Sequence, residues 1–167
     1  MFDPTIYENL KVVLEGDLYD LDLQGTIEIV NRKDLIDMAT MSRIFSIELK
    51  RTDEQTLYPT AEIVMTANLG DFALEKINRD VHRSGCNIRV HLIHNIANEE
   101  QCYTIKQKIN TIWNNRPLIT QKVYYDIGAK EKNQLCQTTL SFNRKINEEN
   151  IKDLNGIISF TVHSLER

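Results

Sequence analysis

The chain has 167 residues and a formal net charge of −4, with 41% hydrophobic and 26% charged residues. These values are typical of a soluble globular protein that can bury a core without a metal ion or a disulfide. The mild acidity disfavours a duplex-binding protein, which usually presents a basic face.

The N-terminal stretch MFDPTIYENL is neither basic nor strongly apolar, which predicts that no signal peptide is present. No apolar run approaches the roughly 18 residues that are needed to span a bilayer. Cys86, Cys102 and Cys136 are odd in number and widely spaced. This pattern favours small buried residues in a reducing compartment over a disulfide framework. We therefore expect a cytoplasmic protein without a membrane partner.

The first half begins with a predicted strand at 10–14, LKVVL, and a predicted hairpin at 18–29, LYDLDLQGTIEI. Apolar and polar side chains alternate on both sides of Gly25, which is typical of two half-buried strands. A two-residue loop would mix apolar and charged residues on each face. A three-residue loop, Leu23-Gln24-Gly25, sorts the faces and puts glycine where a left-handed residue is needed. The three-residue loop is therefore favoured.

The favoured register places Asp20 opposite Glu28, with Asp22 diagonal to the pair. Like charges that face each other across two strands cost up to about 1 kcal/mol, so a compensating group is expected. The simplest one is a neighbouring Lys11 or Lys50, or water. The alternatives are a basic partner surface and a hard cation such as Mg²⁺, which prefers oxygen ligands. Asp20, Asp22 and Glu28 are thus the candidate partner surface.

The rest of the first half predicts a helix at 32–42 and two strands, at 43–51 and 61–68, joined by the polar turn TDEQ. A helix follows at 70–83, because its apolar residues recur on one stripe. Gly85 is expected to end this helix.

The second half has clearer periodicity. Its predicted elements are a strand at 87–94, a helix capped by Asn98 that stops near Asn114, strands at 118–128 and 135–142, a short helix at 148–154 between Asn147 and Gly156, and a strand at 157–163. Strand, helix, strand, strand, helix, strand is the ferredoxin-like βαββαβ order. We therefore predict this order for residues 87–163.

The predicted fold class is α+β, with an antiparallel sheet and helices on one face. Residues 1–167 are expected to form a single domain. The first half repeats the order of hairpin and helix at a shift of about 78 residues, with no residue-level identity to support it. The alternative organisation is therefore two pseudo-repeated halves, about 1–85 and 86–167.

Catalytic signatures are absent from the sequence. The six glycines are too far apart for a phosphate-binding loop, and the serine motif GxSxG does not occur. His91 and His94 lie three positions apart on a predicted strand, so they point to opposite faces and could share a metal only if a bulge intervened. We expect no cofactor and no catalytic residue.

These observations favour a non-catalytic protein that binds a protein partner or itself, as a homodimer, because the edges of the predicted sheet need covering. One alternative is a divalent-metal-dependent hydrolase or transferase that uses Asp20, Asp22 and Glu28. Another is single-stranded RNA binding on an open sheet face, where Lys122, Tyr124 and Arg144 could form a small patch. A nucleic-acid role is disfavoured, because no aromatic-rich RNA-binding motif is present.

Overall fold

The computed structural model describes residues 4–77, 79–80, 82–129 and 133–167. These residues form an α+β fold with a six-stranded antiparallel sheet. The strands are β1 (Ile27–Asp37), β2 (Ser42–Arg51), β3 (Thr60–Ala67), β4 (Asn87–Ile96), β5 (Leu118–Tyr124) and β6 (Gln134–Ser141). The helices are α1 (Thr5–Leu23), α2 (Leu69–Lys76), α3 (Glu100–Ile112) and α4 (Ile151–Ser164).

The strand order across the sheet is β1-β2-β3-β4-β6-β5. The first four strands form a meander, in which each strand pairs with the next one along the chain. The chain then crosses through α3 to β5, and β6 returns between β4 and β5. Strands β1 and β5 are therefore the two edges of the sheet.

One face of the sheet carries the core. Apolar side chains form rows across four neighbouring strands. In one such row each residue pairs with the next across the sheet: Ile47, Ile63, Val90 and Leu140. All four side chains are buried, and helices α1, α3 and α4 pack their own buried residues against them. This confirms the predicted antiparallel sheet with helices on one face. The core joins both halves of the chain, and whether the halves are pseudo-repeats stays a prediction.

The predicted strand at 10–14 and the first arm of the predicted hairpin at 18–29 are wrong, because both stretches belong to α1. Leu10, Leu14 and Leu18 recur at four-residue steps and are completely buried, as one stripe of a helix requires. Gly25 does adopt a left-handed conformation, with φ of 76°. It ends a helix, however, since its N–H donates to the carbonyl of Asp22 at 2.9 Å.

The predicted helix at 32–42 is also wrong. Residues up to Asp37 extend β1, and the next residues form the turn into β2. The predicted strands at 43–51 and 61–68 are confirmed as β2 and β3. The predicted helix at 70–83 is shorter in the structure, because α2 ends at Lys76. Two of its predicted positions, 78 and 81, lie outside the described residues.

Most of the second half is confirmed. Strand β4, helix α3 and strand β6 lie where the periodicity predicts them. Strand β5 begins at Leu118 as predicted but ends at Tyr124, before the predicted end at residue 128. The Asn98 side chain accepts a hydrogen bond from the N–H of Gln101 at 3.3 Å, and the Gln101 side chain accepts one from the N–H of Ala97 at 2.8 Å. Asn147 likewise accepts from the N–H of Glu149 at 2.9 Å, at the start of the turn that leads into α4.

The last predicted strand, at 157–163, is wrong. These residues are the second part of α4, which runs through Gly156 without ending there. Leu154, Ile157, Ile158 and Thr161 are buried, a spacing that fits one helical stripe. Residues 87–163 therefore match five elements of the ferredoxin-like order, and that order as a whole is not confirmed.

A cluster of charged residues fastens α1 to β1 and β2. Arg43 donates to Asp34 at 3.2 Å and to Glu8 at 2.8 Å, and Lys11 binds the same two carboxylates at 2.8 Å. The completely buried Tyr7 donates its hydroxyl to Asp34 at 3.3 Å. Burial opposes ionisation of Asp34, but the hydrogen bonds from Lys11 and Arg43 outweigh it and hold the Asp34 pKa below its ordinary value.

His94 makes stability depend on pH. Burial, together with the charge of nearby Lys108, lowers the His94 pKa to about 4, whereas an unfolded histidine titrates near about 6.5. The unfolded chain therefore takes up this proton first. The contribution of His94 is complete above about pH 6.5 and is lost as the pH falls towards about 4.

Between about pH 7 and pH 4, the free energy of unfolding should fall by up to about 3 kcal/mol less in His94→Gln than in the wild type, because glutamine does not take up a proton. Urea unfolding of both proteins across this pH range measures the difference. His82→Gln, which changes an exposed imidazole, serves as the control and should keep the wild-type profile. An unchanged pH profile in His94→Gln would contradict the prediction.

Candidate interaction surface

Strand β5 is an edge strand with apolar side chains on both faces. It pairs with β6 on one side, and no described strand pairs with it on the other. Leu118 is 69% exposed and Tyr124 is 41% exposed. Exposed apolar residues continue past the strand at Tyr125 and Ile127. An unprotected apolar edge of this kind presents free backbone groups to any chain that can add a strand.

The other edge, β1, is protected. Five of its eleven residues are charged, whereas Lys122 is the one charged residue of the seven in β5. A bulge interrupts the pairing of β1 with β2 between Ile29 and Asn31. Charges and bulges are the features by which natural sheets prevent edge pairing. The two edges therefore differ in kind, and β5 is the edge that is suited to binding.

The sequence of β5, LITQKVY, complements itself when two copies run antiparallel about a two-fold axis at Gln121. In that register Leu118 faces Tyr124 of the other copy, and Ile119 faces Val123. Thr120 faces Lys122, so no like charges meet. A two-fold axis requires such self-complementarity, since the same surface contributes both sides of the contact.

Gln121 fixes the position of β5 against the rest of the fold. Its side-chain amide donates to the carbonyl of Cys102 at 2.8 Å and to the hydroxyl of Thr138 at 3.1 Å. It thereby ties the edge strand to both α3 and β6. A strand that is held in this way loses little conformational freedom when it binds.

The three cysteines are free and buried, as predicted. Burial raises the pKa of Cys86 to about 12. Burial, together with a side-chain hydrogen bond between Cys136 and Cys102 that favours the protonated Cys136 thiol, raises the pKa of Cys136 to about 12. Near neutral pH both thiols therefore stay protonated and cannot act as thiolate nucleophiles.

The predicted carboxylates do not come together as one face of a hairpin. Asp20 and Asp22 lie on α1. Two residues of a helix span about 200° around its axis, so the two side chains point in nearly opposite directions. Glu28 lies on β1 and pairs with Lys50 at 3.2 Å. Lys50 is one of the two lysines that the sequence predicts as a compensating cation. Within the described ranges, no three His, Cys, Asp or Glu side chains are close enough to hold a metal ion.

Asp20 instead lines an acidic cleft of about 500 Å³ between α1 and α4. Asp17 and Glu166 also line it, and Glu166 pairs with His163 at 2.7 Å. Burial and the neighbouring Asp20 raise the pKa of Asp17. The cleft is therefore acidic, but it contains neither Asp22 nor Glu28.

The two histidines of β4 lie on opposite faces of the sheet, and the residues of the predicted RNA-binding patch lie apart from one another. His91 contacts the hydroxyl of Thr139 at 2.9 Å on the face opposite the helices, whereas His94 points to the helix side, as the alternation predicted. Lys122 and Tyr124 lie two positions apart on β5 and therefore on the same face of that strand. Arg144 lies after β6, where it pairs with Asp153 at the start of α4. The structure does not bring the three into one patch.

The sequence does not single out the β5 edge as a candidate interaction surface. LITQKVY lies within the predicted strand at 118–128, but its position at an edge depends on β6 returning between β4 and β5. Composition is the signal that the sequence offers, because this strand has one charged residue, ends at the exposed Tyr124 and is followed by the exposed Tyr125.

In the part of the chain that the structure describes, no helix is both long enough and apolar enough to cross a membrane. No protein-family model matches the sequence, and neither a curated protein nor a solved structure is similar to it.

Proposed function

We propose that this protein acts by binding rather than by catalysis, and that it pairs with a second copy of itself along β5. The self-complementary register of LITQKVY supports the proposal: apolar side chains face apolar side chains, and its single charge faces a threonine. Pairing satisfies the free backbone groups of both edges and joins two six-stranded sheets into a continuous one. The cytoplasm, which keeps thiols reduced, suits the three free cysteines.

A single strand gives a small interface. Stable dimers usually bury about 800 Å² on each partner, and a seven-residue strand supplies only part of this area. The exposed Tyr125 and Ile127, which follow β5 directly, add apolar surface next to the paired strands. We therefore expect a reversible dimer with a dissociation constant of about 1 μM.

Two double variants test the register directly. In Leu118→Glu/Tyr124→Lys, each new glutamate faces a new lysine of the other copy. In Leu118→Glu/Tyr124→Glu, like charges face each other at both places. We expect the first variant to remain dimeric and the second to dissociate at least about tenfold more readily. Size-exclusion chromatography with light scattering, over a range of protein concentrations, measures both.

Leu35→Lys is the control for the other edge, because Leu35 is an exposed residue of β1. It should leave the dimer unchanged. A wild-type protein that stays monomeric at about 100 μM would overturn the proposal, since this is far above the expected dissociation constant. Equal dissociation of the two double variants would show that the β5 strands do not pair in this register.

A further inference from the structure

A groove with an aromatic floor lies on the helix side of the fold, apart from the exposed edge of β5. It has a volume of about 520 Å³ and lies between the end of α3, the segment after β6, and α4. We call it the α3–α4 groove. Trp113, Phe142 and Phe160 form its floor, with ring centroids 5.5 and 5.3 Å from that of Trp113. Pockets that bind small ligands have volumes of about 300–1,000 Å³, and this groove falls within that range.

Gly156 keeps one wall of the groove open. It lies inside α4, and a Cβ atom placed there would meet nothing within 4 Å. Glycine inside a helix costs about 0.5–1 kcal/mol relative to alanine, and no crowding at this position requires it. Because residue 156 has no side chain, the half-buried rings of Phe142 and Phe160 can be reached from the side of α4, with the buried Trp113 beneath them.

The rim of the groove is basic in a chain whose net charge is −4. Arg116 and Lys152 are exposed, and neither has an acidic partner among the described residues. Arg144, the third cation of the rim, pairs with Asp153. The three cations come from three separate segments, namely the α3–β5 connection, the β6–α4 connection and the first turn of α4.

We infer that the α3–α4 groove binds an acidic peptide segment that carries a bulky apolar side chain. The apolar side chain packs on the aromatic floor, where burial of an aromatic or branched residue is most favourable. The acidic side chains pair with the rim. A peptide with several carboxylates can reach cations on separate segments, whereas an amphiphile with one anionic group pairs with one of them. This charge distribution favours a peptide over a fatty acid.

The test uses the full chain and a synthetic peptide of sequence EEDFEELEE. Trp113 is the only tryptophan of the protein and lies in the floor, so its fluorescence reports binding of a tryptophan-free peptide directly. We expect saturable binding of EEDFEELEE and at least about tenfold weaker binding of EEDSEESEE, which keeps the charge and lacks the apolar anchors.

Two pairs of matched variants locate the site. Gly156→Leu fills the groove, whereas Gly16→Leu makes the same change in α1, where a Cβ also meets nothing within 4 Å. Lys152→Glu reverses a rim charge, whereas Lys106→Glu reverses an exposed charge of α3 outside the groove. We expect Gly156→Leu and Lys152→Glu to weaken binding at least about tenfold and the two controls to bind like the wild type.

Folding of the variants is checked by thermal unfolding. Leucine is a better helix former than glycine, so both leucine variants should be at least as stable as the wild type. Equal binding by Gly156→Leu and Gly16→Leu would overturn the inference. So would equal affinity for the two peptides, binding of laurate without binding of EEDFEELEE, or no fluorescence change with peptide at about 1 mM. None of these results depends on whether β5 forms a dimer.

Discussion

Replacing Trp113 with alanine is expected to lower the free energy of unfolding by about 3–5 kcal/mol. The indole is 2% exposed and contacts both Phe142 and Phe160. Its N–H donates to the hydroxyl of Ser164 at 2.9 Å. The substitution therefore leaves a large cavity between α3 and α4 and removes a buried hydrogen bond.

Urea unfolding, followed by circular dichroism, measures this effect as a lower midpoint. Tyr103→Ala is the matched control, because Tyr103 is an exposed aromatic residue of α3, the helix that ends immediately before Trp113. Its effect should stay within about 0.5 kcal/mol. A Trp113→Ala protein as stable as Tyr103→Ala would mean that α3 and α4 do not pack through this ring.

Replacing Arg43 with methionine is expected to cost about 3–5 kcal/mol, because it leaves Asp34 and Glu8 with Lys11 as the main remaining cation of the cluster. The Arg43 side chain is 10% exposed and also lies over the Tyr7 ring, 4.8 Å from its centroid. Methionine keeps most of the side-chain volume of arginine, so the loss of stability measures the removal of the charge and not the creation of a cavity.

The pH dependence adds a second measure of the same change. The lowered pKa of Asp34 means that its contribution is complete above the ordinary carboxyl pKa and is lost as the pH falls through the folded value. Without Arg43 the Asp34 pKa should rise, so the acid unfolding limb moves to higher pH. Urea unfolding between about pH 7 and pH 3 records both effects.

Arg32→Met is the control, since Arg32 is a neighbouring arginine on β1 that pairs with Glu15 and is 42% exposed. Exposed ion pairs contribute about 0–1 kcal/mol, so this variant should remain close to the wild type. Similar losses in Arg32→Met and Arg43→Met would indicate that burial does not strengthen the cluster.

The sequence predicted those elements whose pattern fits only one kind of periodicity. Strands β2, β3, β4 and β6 alternate cleanly, and α3 has a clear helical stripe together with its start signal at Asn98. These elements supply most of the sheet, and the fold class follows from them.

The errors occurred where one stretch fits two periodicities. YDLDL and IISFTVH alternate apolar and polar residues over a few positions, as strands do, and both are parts of helices. The stripe through Leu10, Leu14 and Leu18 becomes visible only over a longer window, and length is what separates the two readings. The sequence also predicts a helix end at Gly156, because glycine inside a helix is uncommon, whereas α4 continues through this residue.

The candidate surfaces depend on topology, which local patterns do not encode. The composition of LITQKVY is readable from the sequence, but its place at an edge follows from the position of β6. The α3–α4 groove likewise joins Trp113 and Phe160, which are 47 positions apart in sequence and in contact through the packing of two helices.

The position of β6 also bears on how the chain folds. Strands β1 to β4 pair between neighbours along the chain, whereas Val90 of β4 pairs with Leu140 of β6, fifty positions later. Contacts between distant residues close large loops and form late. We expect an intermediate in which β4 is itself an unpaired edge that carries Ile88, Val90 and Leu92. Such an edge is prone to aggregation, so the yield of refolding should fall as protein concentration rises.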